Sequence, residues 1–183
     1  MGRDKALLPG LFRYVVDDVA ASVKAATGNV TLIGDPGRYQ QLGYPCLPDL
    51  RPGMGPLSGL ETALLSSTSD LNLLLPCDMP AVEVTHLRAL VARAQASNCS
   101  CVATRDFSGK VHPLCAVYKR ECLPIIQRRL DRKRLSLMGL LEELVTEYVR
   151  VPWTVENINT PEDWARWTSK EHEITHQGRQ TLT

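Results

Sequence analysis

Leu73-Leu-Leu-Pro-Cys-Asp-Met-Pro80 decides how this chain is read. An apolar run from Leu71 to Leu75, broken only by Asn72, stops at Pro76 and is followed by a lone acidic residue. A run that short and apolar suits a strand buried on both faces, as in a parallel sheet. Open α/β sheets bind ligands beyond the carboxyl ends of their strands. Asp78 would stand at that edge, where a carboxylate can hold a divalent cation and the cation can hold phosphates. The plainer reading of the octet alone is a strand and a proline turn whose Asp caps the next helix.

Outward from this stretch, strands and helices alternate. Leu11, Val15, Val19, Val23 and Ala26 recur at helical spacing, with Asp17, Asp18 and Lys24 on other faces and Gly28 as a stop. Asn29–Ile33 reads as a strand and Gly34-Asp-Pro-Gly37 as a turn. Cys46-Leu47 suits a second short strand. Ser58-Gly-Leu-Glu61 has the form of a capping box opening a helix. Thr85–Ala96 is a further helix. Cys101–Thr104 and Leu114–Tyr118 are strands around Ser108-Gly109. Helices follow near Glu121–Arg129 and Ser136–Leu144, then a strand at Tyr148–Val151 and a last helix from Pro161. The pattern predicts an α/β architecture with a mostly parallel sheet. Residues 1–169 read as one domain and 170–183 as a polar tail.

Composition narrows the function. Twenty-one basic residues against 20 acidic ones leave a net charge of +1, which argues against a nucleic-acid surface. Aromatic residues make up only 5%, too few for a base-stacking platform. No apolar run approaches the roughly 20 residues of a membrane span, and the start lacks a signal peptide's apolar centre. The six cysteines form no Cys-x-x-Cys pair and read as buried thiols in a reducing cytoplasm. Cys77 has no positioned base beside it in the sequence and is not read as a nucleophile. His172-Glu-Ile-Thr-His176 spells a zinc-hydrolase pattern, but Gln177–Thr183 offer no third ligand, so a catalytic zinc is not expected.

Four stretches combine: Met1-Gly-Arg-Asp-Lys5, Gly55-Pro-Leu-Ser-Gly59, Pro76-Cys-Asp-Met-Pro80 and Asn157-Ile-Asn-Thr-Pro-Glu-Asp163. In this order they resemble the molybdenum cofactor guanylyltransferases, and His112-Pro-Leu-Cys-Ala-Val-Tyr118 is similar to that family's second-half strand. The resemblance implies a three-layer αβα fold of the nucleotide-diphospho-sugar-transferase type (Rossmann-like). It implies transfer of GMP from GTP to the terminal phosphate of molybdopterin, with release of pyrophosphate and with Mg²⁺ as the metal. It also implies partners in a molybdenum-insertion enzyme and apo-molybdoenzymes.

The family's functional residues carry over one by one. Lys5 matches the lysine that neutralises nucleotide phosphates, and Asp78 matches the Mg²⁺ ligand. Asp49 falls near the aspartate that holds guanosine; a carboxylate can accept from guanine N1–H and N2–H₂ together, or from ribose hydroxyls. A capping Asp is the equal alternative for Asp49. Asp35, with Gly34, lies where a second guanosine contact is expected. Gly53, Gly55 and Gly59 permit close backbone approach to a flat ring. Asn157 and Asn159 match the pair on the molybdopterin side. Arg128-Arg129 and Arg132-Lys-Arg134 form the densest basic cluster, which reads as a solvated helix end or a phosphate site.

The family begins with a buried strand and a glycine-rich phosphate loop ahead of Met-Gly-x-Asp-Lys. The expectation is therefore a sheet short of its first strand, with open edges inside the core and a weakened phosphate cradle. Met1 as an internal residue of a longer protein and a true truncation both remain open. So do a cytidylyl or sugar-nucleotide transferase on the same fold, and a non-catalytic pterin- or nucleotide-binding relative.

Overall fold

Tyr118 apart, the centre of the sheet is built from residues that are small or β-branched on both faces. In the computed structural model, which describes residues 5–7, 9, 14–152 and 162–166, Cys101–Ala103 and Cys115–Tyr118 are buried almost completely. The elements in chain order are α1 (Val15–Thr27), β1 (Leu32–Ile33), α2 (Pro36–Tyr39), β2 (Cys46–Leu47), α3 (Pro56–Ser66), β3 (Leu71–Leu74), α4 (Val84–Ala96), β4 (Cys101–Arg105), β5 (Val111–Lys119), α5 (Leu123–Asp131), α6 (Leu137–Glu143) and β6 (Thr146–Arg150).

Four strands lie in the order β3-β5-β4-β6. β5 is antiparallel to both β3 and β4, and β6 is parallel to β4. Thus β3, β4 and β6 share one direction and β5 alone opposes it. β1 and β2 form a separate parallel pair. Helix α3 packs against both β1 and β3 and so ties the two sheets together. The expected mixed α/β layout with a mostly parallel sheet holds.

Alternation along β4 and β5 sorts side chains into two cores. Cys101, Ala103, Ala116 and Tyr118 face α3, α5 and α6, where Leu57, Leu60, Leu64, Ile126, Leu130 and Leu140 are fully or almost fully buried. Val102, Cys115 and Val117 face α4, with Leu87, Leu90 and Ala94, and α1 covers this side through Val23 and Ala26. Each fully buried Leu contributes about 1.5–3 kcal/mol relative to exposure. Cys99, Cys101, Cys115 and Cys122 are free thiols inside these cores. Burial pushes Cys115 to about 11 and Cys122 to about 12. No helix among the described residues is long and apolar enough to cross a membrane.

Four local expectations differ from the structure. β3 is half-exposed along its whole length rather than buried on both faces. It pairs only with β5 among the described residues, so one edge of this apolar strand lacks a neighbour. Gly34–Gly37 is not a free turn: Asp35 accepts from Gly37 N at 2.9 Å and caps the short helix α2. Asp17 and Asp18, read as lying off the apolar face, are buried. Asp17 accepts from Tyr14 N at 3.0 Å, which places its charge on the N-terminal turn of α1. Finally, Ser58 and Glu61 do not form a capping box. Pro56, whose ring pre-sets φ and which has no N–H to satisfy, starts α3 two residues earlier, behind Gly55.

A buried histidine links α4 to β4. The Thr104 hydroxyl donates to the Cys115 carbonyl at 2.8 Å, so His86 Nε2 carries a proton and donates to Thr104 Oγ1 at 2.7 Å. Burial lowers the pKa of His86, partly opposed by Glu83. Keeping His86 neutral contributes stability that is complete above the unfolded value near 6.5. It is lost as pH falls towards the lower folded value, because the unfolded chain then binds more protons. Glu143 and Glu147 have lowered pKa values through hydrogen bonds to Arg129 and Ser97 respectively, so their contributions fade as pH falls from the ordinary value of 4.5 towards the lower folded ones, below the His86 window. Thermal denaturation should therefore show Tm falling between about pH 7 and pH 5.5. His86→Gln should make that slope shallower.

Candidate functional site

Three acidic residues singled out by sequence each follow the carboxyl end of a strand: Asp35 after β1, Asp49 after β2 and Asp78 after β3. This is the edge at which α/β sheets collect ligands. Asp78 sits in a turn closed by Met79 N donating to the Pro76 carbonyl at 3.2 Å, and its Oδ1 is buried. No three His, Cys, Asp or Glu side chains gather as metal ligands among the described residues. A single carboxylate fits a hard cation that draws its remaining ligands from phosphates and water.

Asp49 opens the loop that leads into α3. Its Oδ1 is buried and has no hydrogen-bond partner among the described residues. That oxygen lies 3.5 Å from where a Cβ on Gly59 would stand, and Ile33 Cγ2 lies 3.8 Å from the same point. The structure thus brings Asp49, Gly59 and the end of β1 together. Gly55 caps α3 with φ 67° and ψ −165°, a conformation open essentially to glycine alone. Asp35 is exposed, caps α2 and reaches Arg38 at 3.5 Å, so its observed role is local. Lys5 belongs to a short 3₁₀ turn, Lys5–Leu7, packed against α1. Asn157, Asn159 and the His172–His176 pattern lie outside the described residues.

The loop is fastened to α3 and α5. Leu50 N donates to Thr62 Oγ1 at 3.0 Å and Arg51 N to Ser58 Oγ at 3.2 Å. Arg51 Nε lies 2.9 Å from Glu61 Oε2, and its Nη2 donates to Oε1 at 3.0 Å. Its Nη1 meets Asp131 at 2.5 Å. Hydrogen bonds to Asp131 and then Glu61 push the Arg51 pKa up.

The MobA-like NTP transferase domain description matches residues 1–148. The chain belongs to that family. It is 32% identical to a probable molybdenum cofactor guanylyltransferase of Deinococcus radiodurans, over 94% of this chain and 89% of the relative. It is 28% identical to a probable molybdenum cofactor guanylyltransferase of Flavobacterium johnsoniae, over 90% of this chain and 82% of the relative. Among solved structures, it is similar to the molybdopterin-guanine dinucleotide biosynthesis protein A of Archaeoglobus fulgidus. That likeness has a TM-score of 0.74 at 20% identity, covering 90% and 89% of the two chains, and concerns the fold.

As a MobA-like transferase domain, the chain has polar groups that sequence reading missed. The sequence pattern marks no role for Arg51 and makes Glu61 part of a cap. The available signal was a glutamate set among Leu57, Leu60 and Leu64 on the apolar face of a helix, where a carboxylate needs a cation. Asp106 and His112 were also missed as a pair. His112 Nε2 lies 2.9 Å from Asp106 Oδ2, and both side chains are buried where β4 turns into β5. The turn signal at Ser108-Gly109 was visible, but a His–Asp pair across it has no sequence signature.

The basic cluster separates into two kinds of residue. Arg129 is buried and donates to the carbonyls of Gly139 and Ser136 and to Glu143, fastening α5 to α6. Arg132, Lys133 and Arg134 are exposed on the intervening turn, with Lys133 at φ 54°. Arg129→Met should cost about 2–3 kcal/mol, since it strips a buried ion pair and two carbonyls of their donor. Arg132→Ala and Arg134→Ala should each stay within about 0.5 kcal/mol. Urea denaturation of the three variants checks both values.

Proposed function

We propose that this chain transfers GMP from GTP to the terminal phosphate of molybdopterin, giving the guanine dinucleotide form of the cofactor and pyrophosphate. The observation that carries the reading is the position of Asp49 and Asp78, each just beyond the carboxyl end of a strand, in a MobA-like transferase domain. The similarity to curated guanylyltransferases over nine tenths of the chain supports GTP rather than CTP as the donor.

A phosphate oxygen of the acceptor attacks the α-phosphorus of GTP. The bond between that phosphorus and the oxygen bridging to the β-phosphate breaks, and pyrophosphate leaves. Both reactants are anions, so the protein's task is alignment and charge neutralisation. Asp78 would hold Mg²⁺ together with nucleotide phosphates; when bound, the ion would offset charge on the phosphates. Lys5 is assigned to the nucleotide phosphates by its motif. Asp49 is assigned to guanosine, with its buried Oδ1 available as an acceptor. Gly55 and Gly59 let the ring come close to the backbone, and Asp35 lies near the guanosine side. Asn157 and Asn159 are assigned to molybdopterin. The work would take place in the cytoplasm, with molybdenum-insertion enzymes and apo-molybdoenzymes as partners.

Asp78→Ala should lower pyrophosphate release from GTP and molybdopterin by about a thousandfold. It should leave the melting transition in place. Normal turnover in this variant would remove Asp78 from the mechanism. Competition of CTP against GTP in the same assay tests the choice of base.

A further inference from the structure

Asp49 presents a difficulty that the guanosine reading leaves unsolved. A carboxylate that is to read a base must keep an acceptor oxygen open, and Asp49 Oδ1 has no hydrogen-bond partner among the described residues. That oxygen therefore does not anchor the side chain. The loop turns at its far end through Gly53 and Gly55, which stand at φ 80° and 67°. Something else must hold the chain at the near end.

Arg51 is the residue placed to do so. We propose that Arg51 is the positioning residue for Asp49: clamped between Glu61 of α3 and Asp131 of α5, it fixes the loop so that the open carboxylate oxygen meets the guanine edge. This rests on the reading of Asp49 as the guanosine contact. The clamp is geometrically specific. The Nε–Nη2 edge lies along both oxygens of Glu61 at 2.9 and 3.0 Å, and Nη1 takes Asp131 at 2.5 Å. Hydrogen bonds from two different nitrogens of the planar fork, Nη2 to Glu61 and Nη1 to Asp131, orient the guanidinium, and an ammonium lacks that fork. Glu61 is only 2% exposed, so its charge holds Arg51 in place as strongly as Arg51 holds it. The backbone joins in: the N–H groups of Leu50 and Arg51 are taken by Thr62 and Ser58. These fastenings to α3 and α5 all fall within two residues of Asp49.

The clamp also reaches the opposite side of the loop. Asp131 is the last residue of α5 and directly precedes the exposed turn Arg132-Lys133-Arg134. Arg51 thereby links the Asp49 loop to the end of α5, beside this basic turn.

The test compares wild type, Arg51→Lys, Arg51→Met, Glu61→Gln and Asp49→Asn. Isothermal titration gives the Kd for Mg-GTP, for Mg-ITP, which lacks the guanine 2-amino group, and for Mg-pyrophosphate, which has no base. Loosening the loop that carries a base-reading group is expected to lower the GTP-over-ITP preference about tenfold in Arg51→Met, and less in Arg51→Lys and Glu61→Gln. The Kd for Mg-pyrophosphate should stay within about twofold, a split that a loss of stability alone would not produce. Asp49→Asn should lose the preference to a similar degree. If the Arg51 and Glu61 variants keep the preference while Asp49→Asn loses it, the clamp is structural only and the proposal is overturned. If Asp49→Asn itself keeps the preference, the guanosine role of Asp49 fails and the proposal falls with it. Should Arg51→Met not fold, Arg51→Lys and Glu61→Gln decide the matter by the same criterion.

Discussion

Burial of β4 and β5 on both faces is the constraint from which the rest follows. A strand with helices above and below can carry no charge along its length, and Cys101–Ala103 and Cys115–Val117 carry none. Chemistry is thereby displaced to strand ends. Asp35, Asp49, Asp78 and Asp106 all stand just past a carboxyl end. The central strands supply stability, and the loops behind them supply function.

The same constraint governs how buried polar groups are tolerated. Three of them are matched across elements. His86 on α4 meets Thr104 on β4, Arg129 on α5 meets α6, and Arg51 in a loop meets Glu61 on α3. These contacts join segments far apart in sequence, and they fix relative positions that apolar packing leaves loose. In the candidate site the consequence is direct: the open oxygen of Asp49 depends on contacts made by its neighbours.

Much of the fold was legible because its signals are local. The run Leu71–Leu75, the helical spacing from Leu11 to Ala26, of which residues 11–13 lie outside the described residues, and the strand-like stretch Cys101–Thr104 are each read from a few neighbouring residues. Pro76, Gly28 and Ser108-Gly109 mark ends through backbone constraints that act within two or three residues. What the sequence obscured was non-local. The half-exposure of β3 depends on which strands flank it, and a periodicity argument sees no flanks. Glu61 was misread because Ser-x-x-Glu is a valid cap in isolation; Pro56 and Gly55, two and three residues upstream of Ser58, moved the helix start. The acids of the candidate site were legible through their motifs. The Arg51–Glu61–Asp131 clamp was not, since its members are separated by up to 80 residues.

The distribution of thiols makes this chain its own reporter of opening. Cys99, Cys101, Cys115 and Cys122 lie inside the two cores, while Cys77 is exposed and Cys46 half-buried. Alkylation proceeds through the thiolate, and burial holds Cys101, Cys115 and Cys122 in the protonated state. An electrophile added to the folded protein meets Cys77 first. Modification of the other sulfurs measures excursions in which a helix lifts from the sheet: Cys122 and Cys101 record the α5–α6 side, and Cys115 records the α4 side.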